Sequence, residues 1–187
     1  MHKSGRYSFP ARLLHWTVGV LIVLMLALGW IWPGLAPGPL RYSLSEVHKL
    51  IGSAVLLLVI VRVAVRLVHR PPESAPASRL QKAGAALVHA SLYVLMVAMP
   101  LSGLAILNWR TGVGFFGFRF PQLEVDVVSR LLENPTDTFR YVHYISAFII
   151  TGLVTLHVAA ALWHHFIRRD DVLRRMLPAK PAAHPPA

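Results

Sequence analysis

Apolar residues gather along this chain in four long runs, separated by segments rich in proline, glycine and charge. Each run is long enough to cross the roughly 30 Å hydrocarbon of a bilayer as a helix. The runs cover about 12–32, 44–67, 83–107 and 137–167. The first closes in Trp30-Ile31-Trp32-Pro33, an interfacial aromatic anchor followed by a breaker. It is too long and too aromatic for a signal peptide, and no small-residue cleavage site follows it. Pro33 to Pro39 reads as a turn-rich connection, and Ser43 or Ser45 is expected to cap the second helix, with Ser45-Glu46 as its start. Pro71-Pro72-Glu73-Ser74-Ala75-Pro76 is expected to be an irregular loop. Pro100 should kink the third helix unless neighbours re-satisfy the backbone. Asn108 to Thr138 is the longest connection, glycine- and phenylalanine-rich at first and polar later, with parts expected on the membrane surface. The pattern predicts an all-α, integral membrane four-helix bundle, with residues 1–187 forming a single membrane domain.

Composition agrees with a bilayer solvent: 55% of the 187 residues are hydrophobic and only 14% are charged. No cysteine is present, so disulfides, thiolate catalysis, iron–sulfur ligation and covalent c-type haem attachment are excluded from the chain's own side chains. Thirteen of the nineteen Lys and Arg lie in the N-terminal tail, the Arg62–Lys82 region and the C-terminal tail. The positive-inside rule therefore places both termini on the cytoplasmic side. Five of the eight acidic residues fall on the other side, which makes it about +1 against about +10 inside. The basic charges are spread over three segments rather than gathered in one patch, which argues against nucleic acid as a partner.

The ten histidines carry the candidate chemistry, because an ionisable group within an apolar span is costly and functional by default. His143 and His157 share the fourth run, fourteen residues apart. That spacing is a rise of about 21 Å and a return to within about 40° of the same helical face. With alternating helix directions, His15 lies at the cytoplasmic depth of His157, and His48 at the outer depth of His143. Two depth-matched pairs result, His48 with His143 and His15 with His157, each able to hold one metal axially. Zinc normally takes three or four close ligands, thiolate or carboxylate among them, and the spans offer neither. Haem needs one or two imidazoles and an apolar slot, which facing helices of a bundle can supply. Gly19 and Gly52 follow His15 and His48 by four residues, so each leaves a side-chain-free patch on which a porphyrin could lie, or simply allows close helix packing. With both axial positions filled by protein, electron transfer is favoured over oxygen activation.

His15-Trp16, His48-Lys-Leu-Ile-Gly52, Val61-Arg62-Val-Ala-Val-Arg66-Leu67, Met99-Pro100-Leu-Ser-Gly103, and His157 through His164-His165 to Asp171-Val-Leu-Arg-Arg175-Met176 together resemble the bacterial cytochrome b-561 family. The likeness extends from about Tyr7 to Pro178 and rests on the order and spacing of short motifs. In length and layout the chain is similar to the family's small superoxide-oxidising members. The resemblance implies four helices, two b haems, axial ligation by His15, His48, His143 and His157, oxidation of superoxide at the outer face, and delivery of electrons to ubiquinone. The competing expectation is a haem-bearing membrane anchor that exchanges electrons with a partner dehydrogenase, hydrogenase or periplasmic cytochrome.

Further residues have two readings each. Arg41, Lys49 and Arg140 fall near the outer histidines and serve either as anion or outer-haem propionate contacts or as ordinary interfacial snorkelling residues. Arg62 and Arg66 return to the face of His48 at the cytoplasmic end, where they meet an inner propionate or act as a positive flank. His89 and His164 lie at cytoplasmic depth, where they contact a propionate or quinone, or replace His157 as inner ligand. His157 is preferred because it lies deeper in the apolar run. His165, His69, His2 and His184 read as interfacial or tail residues, and Trp16, Trp109 and Trp163 as belt or packing residues.

Overall fold

A computed structural model of the chain describes residues 5–69, 78–111, 114–115, 118–119 and 131–178, excepting the side chains of 108–130. The 71–76 loop, the Trp109 side chain, Glu124, Asp126, His2 and His184 lie outside the described residues. Four long helices account for most of the rest: α1 (Phe9–Ile31), α2 (Pro39–Val68), α3 (Arg79–Thr111) and α4 (Pro135–Phe166). All four are long and apolar enough to cross a membrane.

Prolines open three of them. Pro10, Pro39 and Pro135 sit in the first turns of α1, α2 and α4, where a missing N–H costs nothing and a fixed φ favours the helix. This corrects the expected start of α2. Pro39 begins the helix ahead of Ser43 and Ser45, and the Ser45 hydroxyl donates back to the Tyr42 carbonyl at 2.8 Å inside it. At α4, Asn134 Oδ1 accepts from the Asp137 N–H at 3.4 Å, and Asn134 Nδ2 donates to Asp137 Oδ2 at 2.7 Å. The helices outrun the apolar runs because interfacial turns are polar yet still helical. Likewise α3 continues to Thr111, and β1 (Gly114–Phe115) pairs antiparallel with β2 (Phe118–Arg119) where a plain connection was expected.

Pro100 lies within an unbroken α3. One residue before it, the Met99 carbonyl accepts from Ser102 Oγ at 2.7 Å and from His143 Nδ1 at 2.9 Å. A proline in a membrane helix is thus accompanied by a carbonyl that a neighbouring helix uses.

The helices pack as α3 on α4, α1 on α2 and α2 on α3, whereas the α1–α4 and α2–α4 seams lack sustained close backbone approach. All four helices contribute to one central apolar cluster of Val18, Ile22, Val55, Val59, Leu92, Met96 and Ile150. Val59 is fully buried. Large apolar side chains such as Val20, Val23, Leu57, Ile60 and Val94 are exposed, as a bilayer-facing surface requires. Both ends of the described chain meet: the Tyr7 N–H donates to the Arg175 carbonyl at 3.2 Å, Arg12 Nη1 to Leu177 O at 2.7 Å, and Trp16 Nε1 to Met176 O at 2.8 Å. The two termini therefore share one face of the bundle, the terminal face.

Candidate haem sites

Ile150 lies seven residues from both His143 and His157 on α4, inside the central cluster. The two histidines thus flank a packed apolar layer. Beyond it on one side, the His48 and His143 rings lie edge-on with centroids 6.2 Å and planes 68° apart; on the terminal side, His15 and His157 do so at 6.1 Å and 71°. An imidazole nitrogen binds a first-row metal at about 2 Å and lies about 1.2 Å from its ring centre, so two imidazoles trans on one metal place their centroids about 6.3 Å apart. Both pairs fit that spacing. His89 approaches His157 to 5.2 Å, too close for the same arrangement. Among the described residues no group of three or more metal-ligating side chains converges. The open α1–α4 and α2–α4 seams are the ones these pairs bridge.

The imidazoles are held differently. His143 Nδ1 donates to the Met99 carbonyl, with Ser102 Oγ 3.2 Å away, which leaves the lone pair of Nε2 free for a metal. His48 Nδ1 is buried without a partner. His15 Nδ1 lies 2.9 Å from Arg62 Nη2. A guanidinium only donates, so this nitrogen accepts, and in the neutral ring Nε2 then carries the proton.

Of the glycines singled out from sequence, Gly19 has open space where a Cβ would stand, whereas a Cβ on Gly52 would meet Met25 Cε at 3.2 Å. The glycines that cradle the outer rings were missed. A Cβ on Gly29 would lie 3.4 Å from His48 Cε1, and one on Gly103 3.2 Å from His143 Cε1. Their signal was available: both lie at the outer depth of their helices, at the level of the histidines they face.

The basic residues near the outer pair have local partners. Lys49 pairs with Glu46 at 2.5 Å and Arg140 with Asp137 at 2.7 Å, while Arg41 donates to the Leu35 carbonyl at 3.1 Å and lies over Trp32. Both ion pairs are surface-exposed, where such contacts are weak and exchangeable. At the terminal face Arg62 also lies over the Tyr93 ring and Arg66 over that of Tyr7, each at 5.8 Å.

His164 is brought to Asp170 rather than to His15 or His157: its Nδ1 donates to Oδ2 at 2.5 Å. A left-handed Arg169, φ 54°, turns the chain back so that this contact can form. Desolvation alone would raise the Asp170 carboxyl; the His164 bond, the Val172 N–H and nearby Arg168 outweigh it and hold the group below its ordinary value. A carboxyl lowered in this way stabilises the fold above its ordinary value and loses that contribution as the pH falls through the lowered one. The turn is therefore expected to hold at neutral pH and loosen in acid. Asp170→Asn should raise the rate of tryptic cleavage at Arg168, Arg169, Arg174 and Arg175 at neutral pH; an unchanged rate would show that the contact does not hold the turn.

A four-helix membrane protein with a histidine pair at each end of its core has the build of a membrane b cytochrome. A family model described as prokaryotic cytochrome b561 matches residues 6–179. The chain is 30% identical to the probable superoxide oxidase CybB of Yersinia pestis, over 96% of this chain and 99% of that one. It is also 30% identical to cytochrome b561 homolog 2 of Escherichia coli K12 over 92% of this chain and 91% of the relative. Cytochrome b561 homolog 1 of the same organism is 27% identical over 94% and 99%. The chain belongs to the prokaryotic cytochrome b561 family, a family of haem b proteins.

Proposed function

We propose that this protein binds two b haems, one axially between His48 and His143 and the other between His15 and His157. It would then pass single electrons from superoxide at the outer face to ubiquinone in the membrane. The observation that carries this reading is the pair of centroid spacings, 6.2 and 6.1 Å, on either side of one packed core. When bound, each haem would supply a one-electron iron couple with no open coordination position. Superoxide as donor follows the likeness to the Yersinia protein. Two superoxide anions, one quinone and two protons balance to two dioxygen molecules and one quinol.

The chain's own residues have assignable tasks. Met99 O fixes the His143 ring, and Arg62 must release His15 Nδ1 before His15 Nε2 can serve as an axial donor. Arg62 is then placed to meet the acidic edge of the inner macrocycle, with His89 beside it. Gly19, with open space where a Cβ would stand, would leave room for that macrocycle. Arg41, Lys49 and Arg140 form the basic fringe that the donor meets. The terminal face is the cytoplasmic one in this reading, which the excess of Lys and Arg in its tails supports.

The local pairing of Lys49 and Arg140 with carboxylates favours a second reading, because paired charges steer an anion weakly. In it, the protein is an electron-transfer anchor for a partner dehydrogenase, hydrogenase or periplasmic cytochrome. One experiment separates the two. Stopped-flow mixing of the oxidised protein with superoxide should reduce haem and, with quinone present, yield quinol. Haem that stays oxidised would sink the superoxide assignment and leave the partner-serving one.

A further inference from the structure

Three consecutive carbonyls near the end of the described chain each take a donor from around the start of α1. Arg175 O accepts from the Tyr7 N–H at 3.2 Å, Met176 O from Trp16 Nε1 at 2.8 Å and Leu177 O from Arg12 Nη1 at 2.7 Å. These carbonyls belong to the segment that leaves the end of α4, so the segment crosses the α1–α4 seam. All three acceptors are backbone, and the clasp therefore depends on the course of the chain. One exposed residue sets that course. Arg169 is left-handed, φ 54°, and beyond it the Asp170 N–H returns to His164 O at 3.1 Å while Asp170 Oδ1 accepts from the Val172 N–H at 3.1 Å. A 3₁₀ turn, Arg174–Met176, then delivers the carbonyls to α1.

The two histidine pairs differ in what fixes the separation of their helices. α2 and α4, which carry His48 and His143, both pack on α3. α1 packs on α2 and shares no such neighbour with α4. At the outer end of the α1–α4 seam Trp30 lies edge-on against Phe148 at 4.6 Å. At the terminal end, where His15 and His157 stand, the C-terminal segment ties the two helices. Arg12 and Trp16 lie three residues before His15 and one after it. On a helix both tied side chains fall to one side of the histidine, about 60° and 100° round. Holding them fixes the rotation that aims His15 across the seam. We propose that residues 167–178 form a strap that keeps the inner histidine pair at its spacing, and that opening of the strap governs loss of the inner haem. This rests on the reading that a haem binds between His15 and His157, and it gives Trp16 a task beyond the belt or packing role expected from sequence. Arg12, Trp16 and Arg169 are positioning residues that act through His15.

The full-length, haem-loaded protein in neutral detergent is mixed with excess apomyoglobin, and transfer of each haem is followed by absorption; the phase missing in His15→Ala is the inner one. Glycine carries no steric penalty at a left-handed position, whereas a residue with a Cβ does. Arg169→Gly should keep the strap closed and Arg169→Val should open it, with inner-haem transfer about 5- to 30-fold faster in the valine variant than in the glycine one. Both substitutions remove the same charge, so charge does not account for the difference. Trp16→Phe keeps a ring, removes the donor and should speed the inner phase about twofold, as for one exposed hydrogen bond. Arg12→Met should act in the same direction, and Arg12→Lys should restore most of the loss. A general loss of stability speeds both phases, so the ratio of the two rates reports the strap. A ratio unchanged across these variants would overturn the proposal, as would acceleration of the outer phase alone. His15→Ala with both haems still bound would overturn the inner pairing and the strap's role with it. Loss of one haem in His15→Ala with an unchanged ratio elsewhere would overturn the strap alone.

Discussion

Alanine at His48 or at His143 is expected to lower haem content from about two per chain to about one, and alanine at His15 or at His157 to remove the other haem instead. Members of one pair should give the same residual absorption spectrum, and members of different pairs should give distinct ones. The argument rests on geometry that each pair satisfies separately: ring centroids 6.2 and 6.1 Å apart, on opposite sides of a cluster containing Val59 and Ile150. Because the layer between them is packed without help from either site, loss of one haem should leave the other seated. His164→Ala should retain both haems, since its Nδ1 is engaged by Asp170. If His157→Ala kept both haems while His164→Ala lost one, the inner ligand would be His164 and the pairing with His15 would fall.

Which parts of this were legible in the sequence follows from the kind of constraint involved. A bilayer forces every backbone group in a span to bond within the helix, so four apolar runs could only be four helices, and alternation of direction set the depth of every histidine. Depth alone led to pairing His48 with His143 and His15 with His157, whose ring centroids lie 6.2 and 6.1 Å apart in the structure. Boundaries were less legible, because interfacial turns lose the apolar signal before they lose the helix. Pro39 was read as part of a turn, although proline at a first helical position marks a start equally well. The contact of His164 with Asp170 depends on one left-handed residue, Arg169, and no periodicity rule anticipates a positive φ at an arginine. The Arg62–His15 bond was hidden for another reason. It joins helices whose relative rotation is set by the whole core, and forty-seven residues separate its two ends. Gly29 and Gly103 were not legible because each lies on a different helix from the ring it meets, and spacing along one helix does not reveal which residue of a neighbouring helix cradles a ring.

Two glycine substitutions distinguish space that the protein fills from space held for a cofactor. Gly103→Val places a branched side chain where even a Cβ would stand 3.2 Å from His143 Cε1 and 3.4 Å from its Nδ1. The ring has to move, and its bond to Met99 O is lost, so the outer haem should be depleted and the inner one spared. Gly19→Leu is the sharper test. Nothing lies within 4 Å of a Cβ at this position, so the haem-free protein accommodates the change. Helix propensity even favours it, by about 1 kcal/mol relative to glycine. If the inner macrocycle rests on this patch, the added side chain overpacks the loaded state alone, at about 1–3 kcal/mol, and weakens inner-haem retention by about 5-fold to 160-fold. The expected result is therefore an apo-protein at least as stable as the parent that loses one haem's absorption while the His48–His143 site is unaffected. A Gly19→Leu protein that keeps both haems would place the inner macrocycle elsewhere, and the open space beside Gly19 would then belong to lipid-facing packing.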